Sequence, residues 1–113
     1  MGRQHMKSMP DSVYKLVVAE VGDYDRKKEA LEKGDLPREK IIEYSRKLAA
    51  IDTAISSACS GEGTRAKTAL MFDIANLKGY NNGLARQYYL TKGIYMRRKR
   101  EAMTSIARIL ELL

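Results

Sequence analysis

The sequence predicts an all-α fold, with an N-terminal antiparallel helical hairpin followed by a three-helix unit that ends in a long C-terminal helix. Three observations carry this. Apolar residues recur at steps of three and four almost throughout, which places them on single helical faces. No segment keeps the two-residue alternation of a strand. Breakers fall at Gly34, Ser60-Gly61-Glu62-Gly63 and Tyr80-Asn81-Asn82-Gly83, and they cut the chain into helix-sized pieces.

Taken in order, residues 1–10 read as a disordered or cloning-derived tail, since His5-Met6 before Lys7 has the look of a cloning junction. Residues 11–59 form the hairpin. Its first helix runs from Asp11 to Lys33, with Asp11 or Ser12 as cap. Its face is Tyr14, Val17, Val21, Tyr24 and Leu31, interrupted at Lys28, and Gly22 weakens its middle. Gly34 stops it. Pro37 opens a second helix to about Cys59, striped by Ile41, Tyr44, Leu48, Ile51, Ile55 and Ala58. The short connection makes the pair antiparallel, as a support or as a dimerisation element.

Residues 60–113 form the second unit. Thr64 is placed to cap a helix to Lys78, facing inward through Ala66, Leu70, Ile74 and Leu77. Tyr80-Asn81-Asn82-Gly83 reads as a loop with an Asn cap. A short helix follows, with Leu84, Ala85, Tyr88 and Leu90 on its apolar face. Thr91 is an N-cap candidate for the last helix, whose inward face is Tyr95, Ala102, Ile106, Ile109 and Leu113.

Charge narrows the function. The 113 residues carry a net +7, with a pI near 9.6, which favours a polyanionic partner. Residues 11–59 hold nine Lys/Arg against ten Asp/Glu, whereas residues 84–113 hold seven against two. The excess is thus concentrated in the last helix. One cysteine and one histidine allow neither an intrachain disulfide nor a usual zinc site, and no cofactor motif is present. No glycine-rich phosphate loop, Ser/His/Asp set or paired acids at metal spacing points to an enzyme. No apolar run reaches the roughly 20 residues of a membrane span, and no signal-peptide apolar core appears near the start, so a cytoplasmic protein is expected.

The stretch Leu84-Ala85-x-x-Tyr88-x-Leu90-Thr91-x-Gly93-Ile94-Tyr95 resembles the helix-turn-helix of the fourth region of bacterial sigma factors. Tyr95-Met96-Arg97-Arg98-Lys99-Arg100-Glu101-Ala102, with Ile106 and the Leu-rich terminus, resembles phage late-gene transcriptional regulators of the ArpU and RinA kind. Asp73-Ile74 and Gly79-Tyr80 are similar to that family too. The resemblance is best over 84–106 and looser over 40–113. It implies a phage or prophage regulator whose last helix reads double-stranded DNA. Tyr89 departs from the pattern. It stands where a glycine often makes the turn, which predicts either a left-handed residue or a different turn.

On the helical stripe, Lys92, Met96, Arg97 and Arg100 point away from the apolar face and are the expected base-edge residues. Arg86 and Arg98 are expected at phosphates, with Thr91 opening the helix. Lys99 leans toward the core and can extend its stem along it. Tyr95 reads as a core plug with Tyr88 and Tyr89 near it, and Cys59 as an inert small hydrophobe. Asp73 is placed to salt-bridge an arginine of the last helix. Asp23, Asp25, Glu29 and Glu32 among Arg26, Lys27 and Lys28 read as a solvated surface with weak local ion pairs.

Two other functions fit the same pattern. A phage terminase small subunit would also join a DNA-binding helical module to an assembly element. A helical interaction module contacting RNA polymerase would instead set the basic tail against an acidic protein surface.

Overall fold

The computed structural model describes residues 9–113 and is all-helical, with no strand among the described residues. Helices α1 (Asp11–Gly22), α2 (Tyr24–Lys33), α3 (Arg38–Ala58), α4 (Thr64–Ala75) and α5 (Lys92–Ile109) are joined by short connections. A four-residue 3-10 turn, Ala85–Tyr88, precedes α5. Most of residues 1–10, including His5, lies outside the described residues. Met9, however, is buried in the core and so is not part of the tail expected there.

The continuous helix expected over residues 11–33 is broken at Asp23 (φ −97°, ψ 4°). The Asp23 N–H still bonds back to the carbonyls of Ala19 and Glu20, while its carboxylate turns onto the next helix. It accepts from Arg26 Nε and Nη2 at 2.6 Å and from Lys27 Nζ at 3.0 Å. A carboxylate at the N-cap of α2 is favourable because the first N–H groups of a helix lack intrahelical partners. The break changes which face is buried. Val13, Val17 and Val21 are the inward stripe of α1, Lys28 is exposed, and the buried residue of α2 is Lys27.

Lys27 corrects the reading of this region as a solvated surface. Its ammonium lies 3.0 Å from both Glu20 and Asp23, and Lys47 of α3 joins Glu20 at 3.0 Å and Glu43 at 3.3 Å. The Tyr44 ring meets the cations of Arg26, Lys27 and Lys40 at 5.5–5.8 Å. Hydrogen bonds from Arg26 hold the Asp23 carboxyl well below the usual carboxylate range. Burial pushes Glu20 upward, but the bonds from Lys27 and Lys47 outweigh it, so its pKa is also lowered. One ion-pair chain therefore ties α1, α2 and α3 together.

Helix α2 packs on α3, while α1 packs on α4 and α5, and α3 packs on α5. One hydrophobic cluster joins both sides of the Ser60–Gly63 break: Val17 and Val21 of α1, Ile51, Ala54 and Ile55 of α3, Leu70 and Ile74 of α4, and Tyr95, Met103 and Ile106 of α5. Small residues (Ala50, Ala54, Ala102, Ala107) sit among these larger ones, and small residues let helix backbones approach closely.

The helix ends differ from expectation in an instructive way. Pro10 and Gly63, rather than Asp11 or Ser12 and Thr64, occupy the cap positions of α1 and α4, and neither helix has a side-chain cap bond. Helix α4 stops at Ala75, not Lys78, because Leu77 is left-handed (φ 55°). The Lys78 N–H then reaches the Asp73 carbonyl at 2.8 Å and the Leu77 N–H the Ile74 carbonyl at 3.3 Å. Helix α5 ends the same way through Glu111 (φ 60°), with Leu112 N–H on the Ala107 carbonyl at 2.7 Å. Both ends are Schellman motifs without the usual glycine. Ile109 lies off the buried stripe Lys99, Met103, Ile106 and Leu110 and is exposed, as is Leu113 beyond the turn.

Glu111 is exposed, and among the described residues its side chain makes no hydrogen bond or ion pair, so a side chain at this left-handed position carries a backbone cost that a glycine would not. Glu111→Gly is expected to raise stability by up to about 1 kcal/mol, after the larger unfolded-state entropy of glycine is deducted. A thermal midpoint that rises checks this, and one that falls refutes it.

Candidate nucleic-acid interface

The last helix is opened by Thr91, as its sequence position implies. Thr91 is extended (φ −136°, ψ 155°), and its hydroxyl accepts from Ile94 N–H at 3.2 Å. That hydroxyl is thereby engaged, so Thr91 serves as a cap. Behind it, Tyr95 is a fully buried plug. Its ring lies 5.3 Å from Tyr80 and 5.9 Å from Tyr89. The tyrosine cluster therefore includes Tyr80, whereas Tyr88 is exposed.

Asp73 organises the approach to α5. It is completely buried, yet it makes no salt bridge to an arginine, which corrects that expectation. Its carboxylate accepts from the backbone N–H groups of Leu84 (2.7 Å) and Ala85 (3.1 Å) and from the Tyr95 hydroxyl (3.0 Å). It thus caps the 3-10 turn from α4. Asn82, expected as the cap, instead accepts from Gly79 N–H within the loop. The nearby cation is Lys99, buried as its place on the stripe implies, with Nζ 2.6 Å from the Lys78 carbonyl. Burial lowers the Lys99 pKa, and the Asp73 charge opposes that shift. Burial and the same carboxylate push the Tyr95 hydroxyl above its ordinary value.

Tyr89 takes the second of the two turn geometries. It is extended (φ −124°, ψ 131°) and carries no left-handed cost. Its ring is buried, and its hydroxyl lies 3.2 Å from Glu62 and 3.5 Å from the buried Cys59 thiol, whose pKa burial raises. Glu62 also accepts from Arg98 Nε at 3.2 Å. Arg98, expected at phosphates, is therefore held by an ion pair to the α3–α4 loop.

The other expected site residues divide clearly. Lys92, Arg97 and Arg100 are exposed. Arg86 is exposed with its guanidinium 5.6 Å from the Tyr80 ring centre. Met96 does not point outward, because it is half-buried and packs on the core. Arg108 was missed by the sequence reading. It is exposed and continues the line Arg97–Arg100–Thr104, at steps of three, four and four. That spacing was the available signal. The line runs about 17 Å along α5 at 1.5 Å per residue. Glu101 is the one acid of α5. The apolar face expected for Leu84, Ala85, Tyr88 and Leu90 is not formed. Only Ala85 is buried, and Leu90 is 92% exposed.

No protein family model, characterised protein or solved structure matches this chain. Among the described residues, no helix is long and apolar enough to cross a membrane.

Proposed function

We propose that this protein is a sequence-specific double-stranded DNA-binding regulator of transcription, encoded by a phage or prophage, with α5 as its reading helix. The single observation that carries the reading is the outward line Arg97, Arg100 and Arg108 on a helix whose opposite face is shut in the core. A helix about 10–12 Å wide fits a major groove about 12 Å wide. Arginines on its outer face can then reach base edges or flanking phosphates. Arg86, Lys92 and Arg97 lie close in sequence at the leading end, where a helix-turn-helix reader meets DNA. Helices α1 and α3 act as the support for α5.

The test is duplex DNA binding across a salt series. Log affinity is expected to fall linearly with log salt. Replacing Arg97, Arg100 and Arg108 with alanine removes three cations, and if each meets a phosphate the slope drops by about 2.7. The three side chains are exposed, so helicity by circular dichroism stays the same. Binding indifferent to salt, or to the triple substitution, would refute the proposal.

A further inference from the structure

A lone exposed leucine needs no explanation. Leu90 is different because both of its neighbours are fixed. On one side the Tyr89 ring is buried against Tyr95, its hydroxyl faces Glu62, and its carbonyl accepts from the Tyr80 hydroxyl at 3.2 Å. On the other, Thr91 is locked as the cap of α5. Both neighbours are extended, on either side of a bend at Leu90. Tyr89 is turned in, whereas Leu90 is 92% exposed. It is a rigidly mounted apolar tip, and it carries no packing role in the fold.

Its surroundings are cationic. Arg86 lies four residues before it and Lys92 two after, both exposed. An apolar side chain flanked closely in sequence by exposed cations, Arg86 before it and Lys92 after it, is complementary to a surface that is anionic overall and offers a small apolar feature. The thymine C5-methyl group in the major groove is such a feature, set between rows of phosphates. Resting on the DNA-binding reading, we infer that Leu90 is a specificity-determining residue that packs on a thymine methyl, while the arginines supply the charge.

The experiment starts from duplexes that the full-length protein selects from a random pool. The thymines of the selected site are then replaced one at a time by deoxyuridine, which removes only the methyl. Losing one buried methyl, worth about 0.8 kcal/mol, weakens binding about fourfold at one position. Leu90→Ala should bind the thymine and uracil duplexes equally, with an unchanged salt slope and unchanged thermal unfolding. Three results would overturn the inference. These are a wild type indifferent to every uracil replacement, a selected site without thymine, and a Leu90→Ala variant that keeps the wild-type discrimination. In each case salt-dependent duplex binding survives, so the DNA-binding reading stands alone. No duplex binding at all removes both.

Discussion

Asp73→Ala is expected to cost about 3–5 kcal/mol of folding stability, a large share of the roughly 5–15 kcal/mol that holds a domain together. The carboxylate it removes is completely buried and satisfies two backbone N–H groups and the Tyr95 hydroxyl. Each buried donor left without a partner costs about 1–3 kcal/mol. The substitution also removes the negative charge that opposes the effect of burial on the Lys99 ammonium. Asp73→Asn should not rescue it. An amide keeps one acceptor oxygen but turns an N–H₂ toward a donor that needs an acceptor. Urea unfolding of the three proteins, followed by circular dichroism, measures this. A loss below about 1 kcal/mol for the alanine variant would mean that solvent or another group takes over those donors.

The second large effect lies at Gly83, against the same carboxylate. A Cβ at Gly83 would overlap all three terminal atoms of the Asp73 side chain. The need is for space, since Gly83 is not among the left-handed glycines. Asp73 cannot retreat without giving up Leu84 and Ala85, the residues next to Gly83. Gly83→Ala is therefore expected to cost about 1–3 kcal/mol, as forced overpacking does. In the Asp73→Ala background the obstructing carboxylate is gone, so the Gly83→Ala penalty should largely vanish. Residues in contact are expected to be non-additive in this way. A double-mutant cycle in which the two losses simply add would refute the account of the loop.

The sequence made legible what local periodicity governs. The stripes that bury Val17, Ile51, Ile74 and Ile106, the Thr91 cap, the Tyr95 plug and the inward Lys99 all follow from the spacing of residues within one helix. What it hid depends on partners far along the chain. Arg98 meets Glu62 from 36 residues away, and Asp73 meets backbone groups 11 and 12 residues on. Neither pairing leaves a periodic trace. The break at Asp23 was hidden for another reason. Gly22 weakens the helix just before it, but the residues on both sides are helical by propensity, so nothing in the pattern marks the change of face. Left-handed Leu77 and Glu111 defeat a search for glycine because tertiary packing fixes the turn against residue preference. The exposed arginines were half legible. Arg97 and Arg100 stood out in a cationic run, while Arg108 was isolated in sequence and visible only through helical phase.

Helix α5 is gripped from two directions, by α3 and by α1, and its start is latched through Thr91 and Tyr95. Whatever docks on its outer edge meets backbone that is already ordered. The freedom surrendered on association then falls on a few long arginine side chains, about 0.5–1.5 kcal/mol for each one immobilised. No segment has to fold on arrival, and recognition proceeds close to a rigid-body encounter.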